Sequence, residues 1–396
     1  MDYYRPDATE TSRGFVTGSQ RRRRFPRSSV RQPFEALKTV IERAADGRSV
    51  YVTFSGGRDS SGILAAATSL AREGRIPAAV PFTYVYPGLT ETHEGKWQDL
   101  VVRHLGVAEW MRIEVREGDN EFLGPRATHS LARRGLVFPA TAHLWADMFD
   151  RTRGSLVLTG EGGDEVFSPK RAGALVRAGR GRFGAGTPRR EALWSLAPER
   201  LRFRRASNRP LMDMPWLTDA AAREFWNDFL REEVHEPLCL RSSLEVQCSA
   251  RTRAALAQTY TAMAAEYGST VEDPFWHGEF LDSYIRHAPR YGYGDRTEAM
   301  TAVFGQVLPK QILRRSSKAH FNSAYFGRSA QEFARQWDGT GVDADVVNVE
   351  ELRLALLQDP VPAPVGLLMQ QAWLAQQSTC PDSGTAEESD HAREGV

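Results

Sequence analysis

The stretch "VYVTFSGGRDSSGILAAA", residues 50–67, joins an apolar β-type run to a small-residue helix through two glycines. No other feature constrains the fold as much. A helix entered this way presents unpaired backbone N–H groups and a partial positive charge at a strand end. Gly56 and Gly57 let the backbone curl there without a Cβ penalty. Ser55, Ser60 and Ser61 add hydroxyl donors, so the turn fits a phosphate group. An anion held here would be repelled by Asp59 unless a cation stood between them, which points to Mg²⁺. The pattern is not a Walker A loop, because no Gly-Lys-Ser/Thr follows. Taken alone, it equally describes a tight strand-to-helix turn capped by Asp and Ser.

A second strand ends in the same manner. "SLVLTGEGGDEVF" carries Glu161, Asp164 and Glu165 among its glycines, and three carboxylates crowded at one strand end call for a cation or a bound proton. On its own the motif also describes a solvated acidic turn. Between the two motifs, "AAVPFTYVYPG" and "EWMRIEV" read as strands and "HEGKWQDLVVRHLG" and "TAHLWADMFDRTRG" as helices. Ahead of the first motif, "PFEALKTVIERAADG" sets Phe34, Leu37, Val40 and Ile41 on one helical face. Alternating strands and helices predict an α/β fold with a doubly wound parallel sheet. Ligands of such sheets bind beyond the strand carboxyl ends at the topological switch point, so both motifs are expected to face one crevice.

The 396 residues carry 51 Lys and Arg against 50 Asp and Glu, and a net charge of +1 gives no electrostatic case for nucleic acid as a general partner. Three cysteines, Cys239, Cys248 and Cys380, have no metal-ligand spacing and fit reduced thiols in a cytoplasmic protein. No apolar run approaches the ~20 residues of a membrane span, and no apolar segment follows the N-terminal arginines as a secretory signal would require. The chain divides into five expected parts. Residues 1–31 read as a flexible basic arm and 32–167 as the nucleotide-binding α/β core. Residues 168–216 read as an irregular Arg/Gly-rich excursion, 217–375 as a helical part, and 376–396 as a disordered tail.

"SGGRDSS" followed about a hundred residues later by "TGEGGDE" resembles the synthetase domain of asparagine synthetase, of the PP-loop ATP pyrophosphatase type. A third shared element is "LPKQILRRSSKAHF", which matches the family's lysine to Lys318. The resemblance spans about residues 34 to 373 and is thin between 168 and 240. The family's "SVEARVPFLD" segment stands here as "STVEDPFWHGEFLD", and this departure puts the acceptor substrate in question more than the ATP chemistry.

The resemblance implies an AMP-forming amide ligase that uses ATP and Mg²⁺. Ser55, Gly56, Gly57 and Ser60 would hold pyrophosphate, and Thr53, Tyr84, Thr159 and Gly160 would touch adenosine. Asp59 and Asp164 would bind Mg²⁺, with Glu161 beside the acyl and amine groups and Lys318 on the phosphates. Arg58 stands where relatives carry an apolar residue or Lys, and is read as a surface arginine or an extra phosphate contact. His143 is read as an acceptor-pocket residue or a structural histidine.

The expected partners are a small-molecule or peptide carboxylate and an amine. A separate glutaminase or a peptide-carrying partner is also compatible with the resemblance. The chain begins Met-Asp-Tyr with no cysteine nucleophile, so glutamine hydrolysis is not expected of this polypeptide alone. The β-lactam synthetases and lasso-peptide cyclases, which form intramolecular amides, are similar in this respect. Asparagine synthesis from ammonia and a PP-loop tRNA-modifying enzyme are the competing readings.

Overall fold

The computed structural model describes residues 2–21, 24–180, 189–209, 213–317 and 319–379. Its centre is a parallel five-stranded sheet of β1 (Val50–Thr53), β2 (Ala79–Val85), β3 (Met111–Glu114), β4 (Leu156–Leu158) and β5 (Thr270–Glu272). The strand order is β3-β2-β1-β4-β5. Val50 of β1 pairs with Ala79 on one side and Leu156 on the other. The doubly wound α/β expectation is met.

Strand side chains alternate between the two faces, as the period of two requires. Val50, Val52, Leu156 and Leu158 enter a core with Leu37 and Ile41 of α2 (Pro33–Ala45) and Ile63 and Leu64 of α3 (Arg58–Arg72). Tyr51 and Val157 point to the opposite face. There they meet Phe149 and, from the 251–266 helix, Tyr260 and Met263. Because both faces are covered at the centre of the sheet, β4 is apolar and buried on both sides, while the edge strands β3 and β5 expose Arg112, Glu114 and Thr270.

A further core lies away from the sheet. Trp216, Phe225, Phe333, Trp337, Leu352 and Met369 gather there with Phe122 and Val16. Val16 comes from the segment expected to be a mobile arm, and that expectation is corrected. Ala8–Arg13 forms helix α1, entered through a capping box in which the Asp7 side chain accepts from Glu10 N–H and the Glu10 side chain from Asp7 N–H. Trp216 Nε1 donates to Ser12 carbonyl oxygen at 3.0 Å, and Arg251 pairs with Glu10 at 2.7 Å. Arg5 donates to the carbonyls of Arg134 and Leu136 at 2.6 and 2.7 Å. Part of the basic run, Arg22 and Arg23, lies outside the described residues.

Three other expectations change. The excursion at 168–216 contains helices at Gly173–Gly179, Arg189–Leu196 and Glu199–Ala206. The variant "STVEDPFW" segment supplies β5, an edge strand, within the part expected to be helical. The last helix, Gly366–Thr379, continues past 376, and the rest of the expected tail lies outside the described residues. Among the described residues no helix is long and apolar enough to cross a membrane. Cys239 and Cys248 are free thiols, while Cys380 lies outside the described residues.

An N-terminal segment built into a core should resist proteolysis. Limited trypsin digestion of the native protein, read by mass spectrometry, should leave the bond after Arg13 intact. Deleting residues 2–20 should lower the unfolding temperature by more than about 5 °C, since several buried contacts are lost at once. Early cleavage after Arg13 would contradict this packing.

Candidate active site

β1 lies between β2 and β4, so the chain leaves its carboxyl end in the gap where the winding reverses. A cleft of about 510 Å³ opens there, lined by Thr53, Ser55, Gly57, Asp59 and Ser60 after β1 and by Thr159, Gly160, Glu161 and Asp164 after β4. Two motifs about a hundred residues apart therefore meet in one crevice, as the sequence predicts.

Gly56 has φ +77°, and a Cβ there would stand 2.8 Å from Gln98 Cγ, on the helix Gly95–Leu105 (α4). Only glycine suits both constraints. Ser60 Oγ closes the turn, lying 3.3 Å from Ser55 N, Ser55 Oγ and Gly57 carbonyl oxygen. The N-cap of α3 is Gly57, and no side chain caps it. The capped-turn alternative therefore fails, because the Asp59 carboxylate is engaged elsewhere and the first amides of α3 keep their donors for a ligand.

Asp59 is engaged by Arg296. Its Nη2 lies 2.6 Å from Asp59 Oδ1 and 2.5 Å from Oδ2, while Nη1 is bonded to Asp164. The two carboxylates expected to share Mg²⁺ thus share a guanidinium. Their loops are in direct contact: a Cβ on Gly163 would stand 2.3 Å from Asp59 Cγ. An oxygen donor pair already facing one cation suits Mg²⁺, so the residues present fit the ion the resemblance implies. Sequence reading missed Arg296. The local signal was Asp295-x-x-Glu298, which starts the helix Arg296–Phe304 with Asp295 accepting from Glu298 N–H at 2.9 Å.

Two other arginines face the cleft. Arg58, the first residue of α3, is half-buried, and burial followed by the nearby Arg296 charge lowers its pKa from the ordinary arginine value. A guanidinium pressed by both effects favours an anion at this position. Arg315 is buried against Glu94 in an ion pair, donates to Gly56 carbonyl oxygen at 2.9 Å, and lies 5.1 Å over the Trp97 ring. It fixes the phosphate-type turn from behind. Arg315 belongs to "ILRRSSKAHF", whose Ser316, Ser317, Ala319 and Phe321 also line the cleft. Lys318 lies outside the described residues.

Part of the cleft wall is aromatic, formed by Tyr84, Tyr86, Trp145, Phe321 and Tyr325. The Tyr84 hydroxyl donates to Asp147 at 2.9 Å, so its ring rather than its polar tip is offered to a ligand. Thr159 donates through Oγ1 to Asp273, whose carboxyl is pushed up by burial, and accepts at Oγ1 from Glu161 N–H at 3.1 Å. This ties β5 and the variant segment to the second motif. His143 is not in the cleft. It is fully buried with Nδ1 3.0 Å from Ser130 Oγ, so of the two readings the structural histidine stands and the acceptor-pocket one does not.

The asparagine synthase family model matches residues 35–373. No curated protein sequence matches the chain.

Burial presses the His143 pKa from its ordinary 6.5 down to about 3, with Arg134 and Arg5 adding to the effect. Below pH 6.5 the unfolded chain binds a proton that the folded chain refuses, so stability falls as pH falls towards 3. At pH 5 the loss from this residue is ~2 kcal/mol. Urea unfolding at pH 7 and pH 5 should show that His143→Asn has a smaller pH dependence than the wild type by about this amount. Equal pH dependence would contradict a buried neutral imidazole.

Proposed function

Because the chain belongs to the asparagine synthase family of ATP-dependent carbon–nitrogen ligases, we propose that it activates a carboxylate as an acyl-adenylate and passes the acyl group to an amine. One observation carries the reading. In a single cleft, the uncapped N-terminus of α3, which carries Asp59, meets Asp164 from the other strand end, and the two aspartates share one cation.

In the first step a carboxylate oxygen of the substrate attacks the α-phosphorus of ATP. The bond from that phosphorus to the bridging oxygen breaks, and pyrophosphate leaves with the electron pair. The growing charge falls where the amides at the start of α3, the Ser55 and Ser60 hydroxyls and Arg58 converge, and preorganised donors of this kind stabilise it without reorganisation. Asp59 and Asp164 are the residues that would hold Mg²⁺, which when bound neutralises phosphate charge.

In the second step the amine nitrogen attacks the acyl carbon, the acyl–phosphate bond breaks and AMP departs. The surplus amine proton needs an acceptor, and Glu161, a carboxylate that lines the cleft, would take it. The aromatic wall supports stacking of a planar base or an aryl group.

Incubation with ATP, Mg²⁺ and panels of carboxylates and amines should release AMP and pyrophosphate in equal amounts with an active pair. Stoichiometric ADP would refute adenylation. The family match of Lys318 predicts that Lys318→Ala lowers turnover by about two orders of magnitude, with an unfolding temperature close to wild type. Lys318→Arg should restore only part of it, because a planar fork does not replace a compact ammonium. Near-normal turnover of Lys318→Ala would assign the role to another residue.

A further inference from the structure

Arg296 is placed against local electrostatics. It is the first residue of a nine-residue helix, where a cation opposes the helix dipole. Its side chain is only 15% exposed, and its Nε is buried without a hydrogen-bond partner. Such a guanidinium is unfavourable unless a strong anionic partner offsets the desolvation. Asp59 and Asp164 supply it from two different strand ends, with the fork of Arg296 spanning both.

The same pair is the one that would hold Mg²⁺, so guanidinium and metal compete for the same oxygens. We propose that Arg296 is a resident counter-cation that holds Asp59 and Asp164 together before nucleotide binds and yields them to Mg²⁺ when nucleotide enters. The displaced guanidinium then turns its donors to phosphate oxygens, a charge-assisted contact that replaces the one it gives up. The carboxylate pair is never left without a cation during the exchange, and bare Mg²⁺ without nucleotide is disfavoured. This makes Arg296 a positioning residue for metal loading, and it rests on reading the cleft as an ATP–Mg²⁺ site.

The consequence has an unusual sign: removing Arg296 should strengthen binding of a free divalent cation. The test uses the full chain without nucleotide and Mn²⁺ as the probe, followed by electron paramagnetic resonance. Arg296→Gln should bind Mn²⁺ roughly tenfold or more tightly than wild type, the size of one lost charge-assisted contact. Adding Asp59→Asn to that variant should abolish the gain. In metal-free buffer Arg296→Gln should melt below wild type, and millimolar Mg²⁺ should raise its melting temperature while barely moving that of wild type. A merely structural ion pair would destabilise without that rescue.

Arg296→Lys, a smaller change, should show the same trend to a lesser degree and keeps the test open if the glutamine variant does not fold. Equal or weaker Mn²⁺ binding by the Arg296 variants would overturn the inference, as would a gain that persists with Asp59→Asn. ATP–Mg²⁺ binding by wild type, measured by calorimetry, reports separately on the underlying reading.

Discussion

The pairing of β1 with both β2 and β4 is the constraint on which the rest depends. It places two strand ends side by side where the winding reverses, and the crevice follows from topology rather than from any particular side chain. Side chains then decide how closely the two loops approach. Gly163 lets the second loop lie against the Asp59 carboxylate, a contact that any Cβ would prevent. Once the loops touch, their like charges cannot be left alone. The Arg296 guanidinium is the answer the protein carries within its own chain.

The cleft lining combines arginines with aromatic rings. Arg58, Arg296 and Arg315 stand where α3 begins, and Tyr84, Tyr86, Trp145, Phe321 and Tyr325 form an aromatic wall. The tasks of the arginines differ. Arg315 is committed to Glu94 and to the Gly56 carbonyl, so it shapes the turn. Removing one partner of such a buried pair leaves an uncompensated charge and costs about 3–5 kcal/mol. Arg58 is pressed by burial and by Arg296 and is better placed for an arriving anion. The chain's near-zero net charge conceals this local field entirely.

Much of the sheet and of the site was legible because strand-end glycines and carboxylates are local signals with one physical meaning. The order of the motifs and the apolar runs of β1, β2 and β4 follow from short-range pattern, whereas the "RRSSKAHF" segment was placed at the site only by the family resemblance. What was not legible depends on distant partners. The Asp7–Glu10 capping box was present in the sequence, yet the surrounding Arg, Ser and Thr suggested a mobile arm. Burial of Val16 and the bond from Trp216 to Ser12 make it structural. β5 is three residues long and exists because Thr270, Val271 and Glu272 find an open edge on β4. Arg296 looks like any helix-starting arginine until the fold brings it to Asp59, 237 positions away in sequence.

The second helical core explains why so compact a site requires so long a chain. Arg315, Ser316, Ser317, Ala319, Phe321 and Tyr325 line the cleft, and among the described residues of this stretch the regular structure is the short helix Asn322–Tyr325. Its far end is therefore anchored from outside. Phe122 stacks on Tyr325 with centroids 5.2 Å apart and meets Phe326 edge-on at 4.9 Å. Buried Glu121 accepts from the Arg328 and Ser329 amides at 3.1 and 2.7 Å. Gln370, on the last helix, donates to the Phe122 and Ala140 carbonyls at 3.3 and 3.2 Å, which fixes the Phe122 loop in turn. Phe326, Phe333 and Trp337 then share one apolar cluster with Val16 of the N-terminal segment. A loop held only by its own backbone would sample many conformations, at roughly 1–2 kcal/mol of entropy per residue to fix. By burying the residues that follow it, the helical core supplies that ordering energy from outside the cleft.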